Sequence, residues 1–181
     1  MSNLDLCEKI LFSGEEISKR CEEIAEQIEK DVNGEEVTFL SVLNGSFMFT
    51  SELVKRYKGD CRIDFIQVST YGDGTSTSGK FNVKKALSLD ISGKHVVIVE
   101  DIVDTGFTMV NLLEYLGSFN PASIRICTMI DKPHRRTHEV LSDYVAYTME
   151  EEFFIVGYGL DYAQKYRNLP YIGILKEEYY S

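Results

Sequence analysis

Several features that would mark other classes of protein are absent or scarce in this sequence. The 181 residues include no tryptophan, three prolines and four cysteines, and no two cysteines form a CxxC pair. Disulfide frameworks and zinc sites are therefore weakly supported. No apolar stretch approaches the roughly 18 to 20 residues that span a bilayer, and the first residues lack the pattern of a signal peptide. We expect a soluble, cytoplasmic protein with no membrane partner.

Basic residues are also in short supply. Lysine and arginine together number 19 against 29 aspartates and glutamates, which gives a formal net charge of -10. A field of this sign repels the phosphate backbone of a nucleic acid, so we expect no nucleic-acid partner. A small polyanionic substrate would need metal ions or well-placed backbone N–H groups to bind.

The chain alternates between helical and strand-like apolar patterns. A capping box formed by Ser13 and Glu16 begins a predicted helix over 14–31, and two further helices are predicted over 47–57 and 109–118. Predicted strands cover 37–43, 62–71, 95–100, 124–130, 143–146, 153–156 and 171–175. This alternation predicts an open α/β sheet, whose ligands bind beyond the carboxyl ends of the strands. With 44% hydrophobic residues, the chain suffices for one core, and we predict a single domain over residues 1–181.

A run of small polar residues, Gly72–Gly79, lies between two of these strands. It has too few apolar side chains to pack down on its own. The composition is compatible with a solvated hairpin tip and with a mobile lid over a site.

Three acids follow closely upon a predicted buried strand: Glu100, Asp101 and Asp104. Asp104 could cap the next helix, but carboxylates beside a buried strand are costly unless they are paired or bound to metal. Glu100 and Asp101 offer oxygen ligands for Mg²⁺ or acceptors for sugar hydroxyls. The hydroxyls of Thr105 and Thr108 and the glycine Gly106 lie at the N-terminus of the next predicted helix. A helix N-terminus favours the binding of a phosphate. The segment predicts a site for a phosphorylated sugar with Mg²⁺.

The same segment carries a specific resemblance. Val96–Thr108 reads as four apolar residues, two acids, two apolar residues and Asp-Thr-Gly-x-Thr, and it resembles the phosphoribosyl-pyrophosphate motif of type I phosphoribosyltransferases. The similarity to their hypoxanthine-guanine branch extends from about Ile10 to Tyr171. It implies a mostly parallel central sheet flanked by helices, with a core over about 35–150 and a small hood from about 1–12 and 151–181.

The resemblance also implies an activity. The enzyme would transfer the phosphoribosyl group from phosphoribosyl pyrophosphate to N9 of hypoxanthine, and of guanine next, with Mg²⁺ as cofactor and in a homodimer or homotetramer. Asp104 would accept, or share, the proton at N7 of the purine. The implied phosphoribosyl and 5'-phosphate contacts are Glu100, Asp101, Asp104, Thr105, Gly106, Phe107 and Thr108.

Residues outside the motif acquire roles only through the resemblance. Leu43, Asn44 and Gly45 resemble the pyrophosphate loop, often with a cis peptide before its second residue, and Arg167 resembles a further pyrophosphate contact. Asn44 departs from the family, because that position is often Lys or Arg in its members. The dipeptide Asn44-Gly45 would also be explained by a simple turn between a strand and a helix. Thr70 and Tyr71 resemble the Ser-Tyr pair of the family's lid.

The purine contacts are implied in the same way. Lys132 would contact the 6-oxo group, Phe154 would stack on the base, and Ile155 would recognise it through the backbone. Asp161 would join this pocket and, with Glu100 and Asp101, complete the implied metal ligands. Without the resemblance, Lys132 would be interpreted as an ordinary exposed lysine. Phe154 and Ile155 would likewise be interpreted as part of a core strand.

Two rival functions are weaker. A dehalogenase-type phosphatase needs two aspartates separated by one residue, whereas Asp101 and Asp104 have two residues between them. A nucleotide-sensing regulator of the same fold would need a basic face for nucleic acid, which the net charge of -10 disfavours.

Overall fold

The computed structural model describes residues 6–71 and 80–180, with the side chains of Thr70, Tyr71 and Lys80 outside that description. Strand β1 (Cys7–Phe12) leads into helix α1 (Gly14–Val32). The capping box is present: the Ser13 hydroxyl accepts from the Glu16 N–H at 3.3 Å, and a Glu16 carboxylate oxygen accepts from the Ser13 N–H at 2.8 Å. These bonds satisfy two N–H groups that a helix start would otherwise leave unpaired.

A six-stranded sheet forms the centre of the molecule, in the order β4-β3-β2-β5-β6-β7. All neighbours are parallel except β3 and β4. The strands are β2 (Val37–Leu43), β3 (Cys61–Tyr71), β4 (Lys80–Lys85), β5 (His95–Val103), β6 (Ser123–Asp131) and β7 (Tyr144–Thr148). The predicted α/β class with a mostly parallel sheet is confirmed.

Helices cover both faces of this sheet. Apolar side chains of α1 and of α2 (Phe47–Val54) pack against one face, where Phe39 and Val97 are buried. Helix α3 (Phe107–Gly117) packs against the other face, where Leu40 and Ile98 are buried. Adjacent strand residues therefore face different cores, which explains why β2 and β5 read as continuous apolar runs.

A second, three-stranded sheet joins the two ends of the described chain. Its order is β1-β9-β8, with β8 (Ile155–Val156) and β9 (Ile172–Leu175) from the C-terminal part. This sheet is the predicted hood, and its strand β1 was not foreseen as a strand. Short 3-10 helices at Pro133–Arg135 and Glu177–Tyr179 were not foreseen either.

Several predicted boundaries need correction. Helix α2 ends three residues before its predicted end at 57, and β8 covers only the last two residues of the predicted strand 153–156. Strand β5 runs three residues past its predicted end at 100, because Ile102 and Val103 pair with β6. Within the described chain, no helix combines the length and apolar character that a bilayer crossing requires.

The capping box gives a first prediction. Ser13→Ala removes the acceptor for the first turn of α1 and should lower the free energy of unfolding by about 0.5 to 2 kcal/mol, measured by urea denaturation. Ser51→Ala, at an exposed position inside α2, serves as the control and should change it by less than about 0.5 kcal/mol. Equal losses in the two variants would contradict a capping role for Ser13.

Candidate active site

Three adjoining cavities open at the carboxyl ends of the parallel strands. Their volumes are about 540, 220 and 280 Å³. The first two share Asp101 and Asp161, the first and third share Asp104, and the second and third share Glu100 and Thr108. One crevice therefore brings together residues from β2, β3 and β5, from the segment just after β6 and from the C-terminal part of the chain, as the edge of an open parallel sheet predicts.

Two adjacent carboxyl groups lie at the centre of the crevice. Glu100 and Asp101 lie inside β5, because the strand continues to Val103 and does not end at Glu100 as predicted. Burial raises the pKa of Glu100 well above its ordinary value, and the neighbouring Asp101 carboxylate raises it further. Burial also raises the pKa of Asp101. One Glu100 oxygen, Oε2, is buried and has no hydrogen-bond partner among the described residues. Such a pair favours a bound cation or a hydroxyl donor.

The turn from Asp104 to Thr108 lines the 280 Å³ cavity. Gly106, the N-cap residue of α3, has φ 85° and no side chain that could cap the helix. Among the described residues, the Thr105 hydroxyl accepts from the Phe107 N–H in the first turn at 3.4 Å. A second loop holds the turn from behind: the N–H groups of Thr137 and His138 donate to the Thr105 carbonyl at 3.0 and 3.1 Å. The first turn of α3 therefore lies beside the cavity, where backbone N–H groups at a helix N-terminus favour an anion.

The loop after β2 closes the 220 Å³ cavity. The peptide bond between Leu43 and Asn44 is cis, as the resemblance implied. A side chain on Gly45 would overlap the Asp101 carboxylate, so the backbone approaches that acid as only glycine allows. Arg167 faces the same cavity, forms an ion pair with Asp161 at 2.8 Å and donates to the Gly159 carbonyl at 2.6 Å. The structure brings the predicted pyrophosphate residues together beside the acids.

The predicted purine residues line the 540 Å³ cavity together: Lys132, Phe154, Ile155 and Asp161. Lys132 is 7% exposed, so the interpretation as a solvated lysine is wrong. Its backbone N–H donates to the Val103 carbonyl at 3.0 Å, which ties it to the end of β5. Phe154 is 39% exposed, so it is no core residue. The Tyr180 ring stacks on it with centroids 4.8 Å apart and planes at 18°.

Sequence reasoning missed four residues of this cavity region. Arg135 donates to the Asp104 carboxylate at 3.0 Å, and Glu152 accepts from His134 at 2.9 Å; Tyr180 is the fourth. The hydrogen bond from His134, with Lys132 and Arg135 nearby, lowers the pKa of Glu152. The signal was present as a basic run, Lys132–Arg136, in an acidic chain, followed later by the acidic run Glu150–Glu152.

The predicted lid falls largely outside the described residues. The backbones of Thr70 and Tyr71 end β3, but their side chains and the predicted lid, 72–79, lie outside the described residues.

The acids also fall short of a complete metal site. Among the residues that are described, no three His, Cys, Asp or Glu side chains cluster closely enough to hold a metal unaided. Any metal here would need oxygen atoms from a substrate or from water.

A larger cavity, of about 820 Å³, lies behind the Thr105 turn, between α3 and the loop 136–141. It is mostly apolar, and its lining includes none of Glu100, Asp101 and Asp104. The chemistry that the acids can perform therefore belongs to the three smaller cavities and not to this one.

Comparison with known proteins agrees with this geometry. A family profile described as "Phosphoribosyl transferase domain" matches residues 9–163. A hypoxanthine-guanine phosphoribosyltransferase of Streptococcus pneumoniae is 45% identical over 96% of both chains. A crystal structure of a hypoxanthine phosphoribosyltransferase from Staphylococcus aureus superposes with a TM-score of 0.94 at 41% identity over 100% of both chains. A crystal structure of a hypoxanthine-guanine phosphoribosyltransferase from Bacillus anthracis matches with a TM-score of 0.88 at 40% identity, covering 94% of this chain and 99% of that one.

The approach of Gly45 to Asp101 gives a second prediction. Gly45→Ala forces a methyl group onto the Asp101 carboxyl and should lower the free energy of unfolding by about 1 to 3 kcal/mol, as overpacking does. Gly117→Ala is the matched control, because a Cβ there meets nothing within 4 Å. Urea denaturation of both variants measures the difference, and a Gly45→Ala protein as stable as wild type would contradict the close approach.

Proposed function

We propose that this chain, which belongs to the phosphoribosyl transferase domain family and within it to the hypoxanthine-guanine phosphoribosyltransferases, acts in purine salvage. It would transfer the 5-phosphoribosyl group from phosphoribosyl pyrophosphate to N9 of hypoxanthine, and of guanine next. The products would be IMP or GMP and pyrophosphate.

The division of the crevice is the observation that carries this proposal. The substrates have three parts, and each finds a matching cavity. The 280 Å³ cavity at the start of α3 suits the 5'-phosphate, the 220 Å³ cavity with Gly45 and Arg167 suits pyrophosphate, and the 540 Å³ cavity with Lys132 and Phe154 suits a planar base. The ribose would sit between all three, where the cavities adjoin.

The residues present fit Mg²⁺. Glu100 has a buried oxygen without a partner among the described residues, and burial raises the pKa of Glu100 and of Asp101, so a cation would relieve the cost of their charged forms. We assign Glu100 and Asp101 to one ion and Asp161 to a second. Substrate oxygens and water would complete each coordination shell, as is usual for Mg²⁺. Bound there, Mg²⁺ would neutralise charge on the leaving pyrophosphate.

Residues of the chain itself would accept a proton from the base and orient it. N9 of the purine attacks the anomeric carbon as the bond to pyrophosphate breaks, and Asp104 accepts the proton at N7 that the base must redistribute. Lys132 would donate to the 6-oxo group, which orients the base, and Phe154 would stack on its ring. Asn44 carries no charge, so binding of pyrophosphate would depend on Mg²⁺, on backbone N–H groups and on Arg167.

A direct assay tests the proposed reaction. Purified protein with phosphoribosyl pyrophosphate and Mg²⁺ should form nucleotide and pyrophosphate, with kcat/KM highest for hypoxanthine, then guanine, and lower for xanthine and adenine. Chelation of the metal should abolish product. No nucleotide from any 6-oxopurine, together with a shift of nucleic acid in a gel assay, would favour the regulator instead.

The proton acceptor gives a separate prediction. Asp104→Asn should lower kcat by roughly ten-fold to a thousand-fold, in the range for loss of a general base, with a smaller effect on KM for phosphoribosyl pyrophosphate. Asp60→Asn, at an exposed position preceding β3 at the opposite end of the sheet, should match wild type. An unchanged kcat for Asp104→Asn would remove Asp104 from the chemistry.

A further inference from the structure

One wall of the 540 Å³ cavity carries four charged side chains of alternating sign: Asp104, Arg135, Glu152 and Lys132. The Arg135 Nε atom lies 3.0 Å from Asp104 Oδ1 and 3.5 Å from Glu152 Oε1. Glu152 Oε2 in turn lies 3.5 Å from Lys132 Nζ. The residue assigned to N7 and the residue assigned to the 6-oxo group are therefore linked through Arg135 and Glu152.

Local structure fixes where Arg135 stands. It is the last residue of the 3-10 helix Pro133–Arg135, and its N–H donates to the Lys132 carbonyl at 3.1 Å. The ring of His134, the residue before it, hydrogen-bonds to the Glu152 carboxylate at 2.9 Å, which places Glu152 beside the guanidinium. Arg135 thus lies within reach of two carboxylates at once.

The Asp104 side chain has few other restraints. It is 41% exposed, and within the described parts of the chain its carboxylate forms an ion pair with Arg135 alone. The Asp104 backbone is held from behind, since its carbonyl accepts from the Arg136 guanidinium. A carboxylate on a fixed backbone but with a free side chain samples several rotamers, and few of them can reach a given proton.

We propose that Arg135 is a positioning residue for the transfer reaction, which orients the Asp104 carboxylate toward N7 of the purine while Glu152 keeps the guanidinium at the cavity wall. The inference rests on the proposed function. Two carboxylates flank Arg135. When Asp104 binds the base, the guanidinium of Arg135 can therefore loosen its bond to Asp104 and still be held at the cavity wall by Glu152. A surface ion pair would explain the same contact, but such a pair contributes little to stability and nothing to kcat.

A double-mutant cycle separates these interpretations. kcat and the KM values for hypoxanthine and for phosphoribosyl pyrophosphate are measured for wild type, Arg135→Ala, Asp104→Asn and the double variant. Arg135→Ala should lower kcat about ten-fold, as misplacement of a catalytic group does, with little change in KM for phosphoribosyl pyrophosphate. Because Arg135 acts through Asp104, adding Arg135→Ala to Asp104→Asn should cost no more than about two-fold. Arg135→Lys, which keeps the charge but not the guanidinium geometry, should restore part of kcat.

Arg62→Ala is the matched control. Arg62 is 48% exposed against 47% for Arg135, and it forms a comparable ion pair with Glu36 at 3.1 Å, at the opposite end of the sheet. It should retain wild-type kcat. Losses that multiply fully in the double variant, or wild-type kcat in Arg135→Ala, would overturn the inference alone, since the wild type would still be active. A wild type that makes no nucleotide would overturn the proposed function and the inference together.

Discussion

The site depends on two carboxyl groups held within a buried strand. Glu100 and Asp101 lie in β5, with β2 on one side and β6 on the other, and both cores lie just behind them. Acids in such a position destabilise a fold unless something compensates for their charge. An unpartnered oxygen and pKa values raised by burial are the marks of that cost in the part of the chain that the structure describes. The crevice at the strand ends is where a metal-bound, phosphorylated substrate could supply the compensation.

The C-terminal segment packs closely against the loop that follows β2. A side chain on Gly159 would overlap the Gly45 carbonyl, so two backbones meet closely where the C-terminal segment reaches the loop after β2. Arg167 stabilises the same junction through the Gly159 carbonyl and Asp161. Residues far apart in the chain therefore line one small cavity, and its shape depends on a contact that no local pattern records.

In an acidic protein, the binding of a polyanion depends on the positions of the few basic side chains. The net charge is -10, yet Arg167 faces the 220 Å³ cavity while Lys132 and Arg135 face the 540 Å³ cavity. Each of these cations is paired with a carboxylate in the structure. These ion pairs hold the three cations at the walls of the two cavities.

Much was decided by the sequence alone. Local chemistry determined the helix start at Ser13, the continuous apolar strands β2 and β5, and the acid-rich segment Glu100–Thr108, because caps, burial on two faces and charge beside a strand all leave marks within a few residues. The family motif supplied roles for residues whose own patterns were ambiguous, Lys132 and Phe154 among them. Only the tertiary structure showed that β5 continues past both of its acids, that Tyr180 covers Phe154 and that Arg135 bonds to Asp104. The last of these contacts joins residues 31 positions apart, and a single sequence does not record which distant side chains pair.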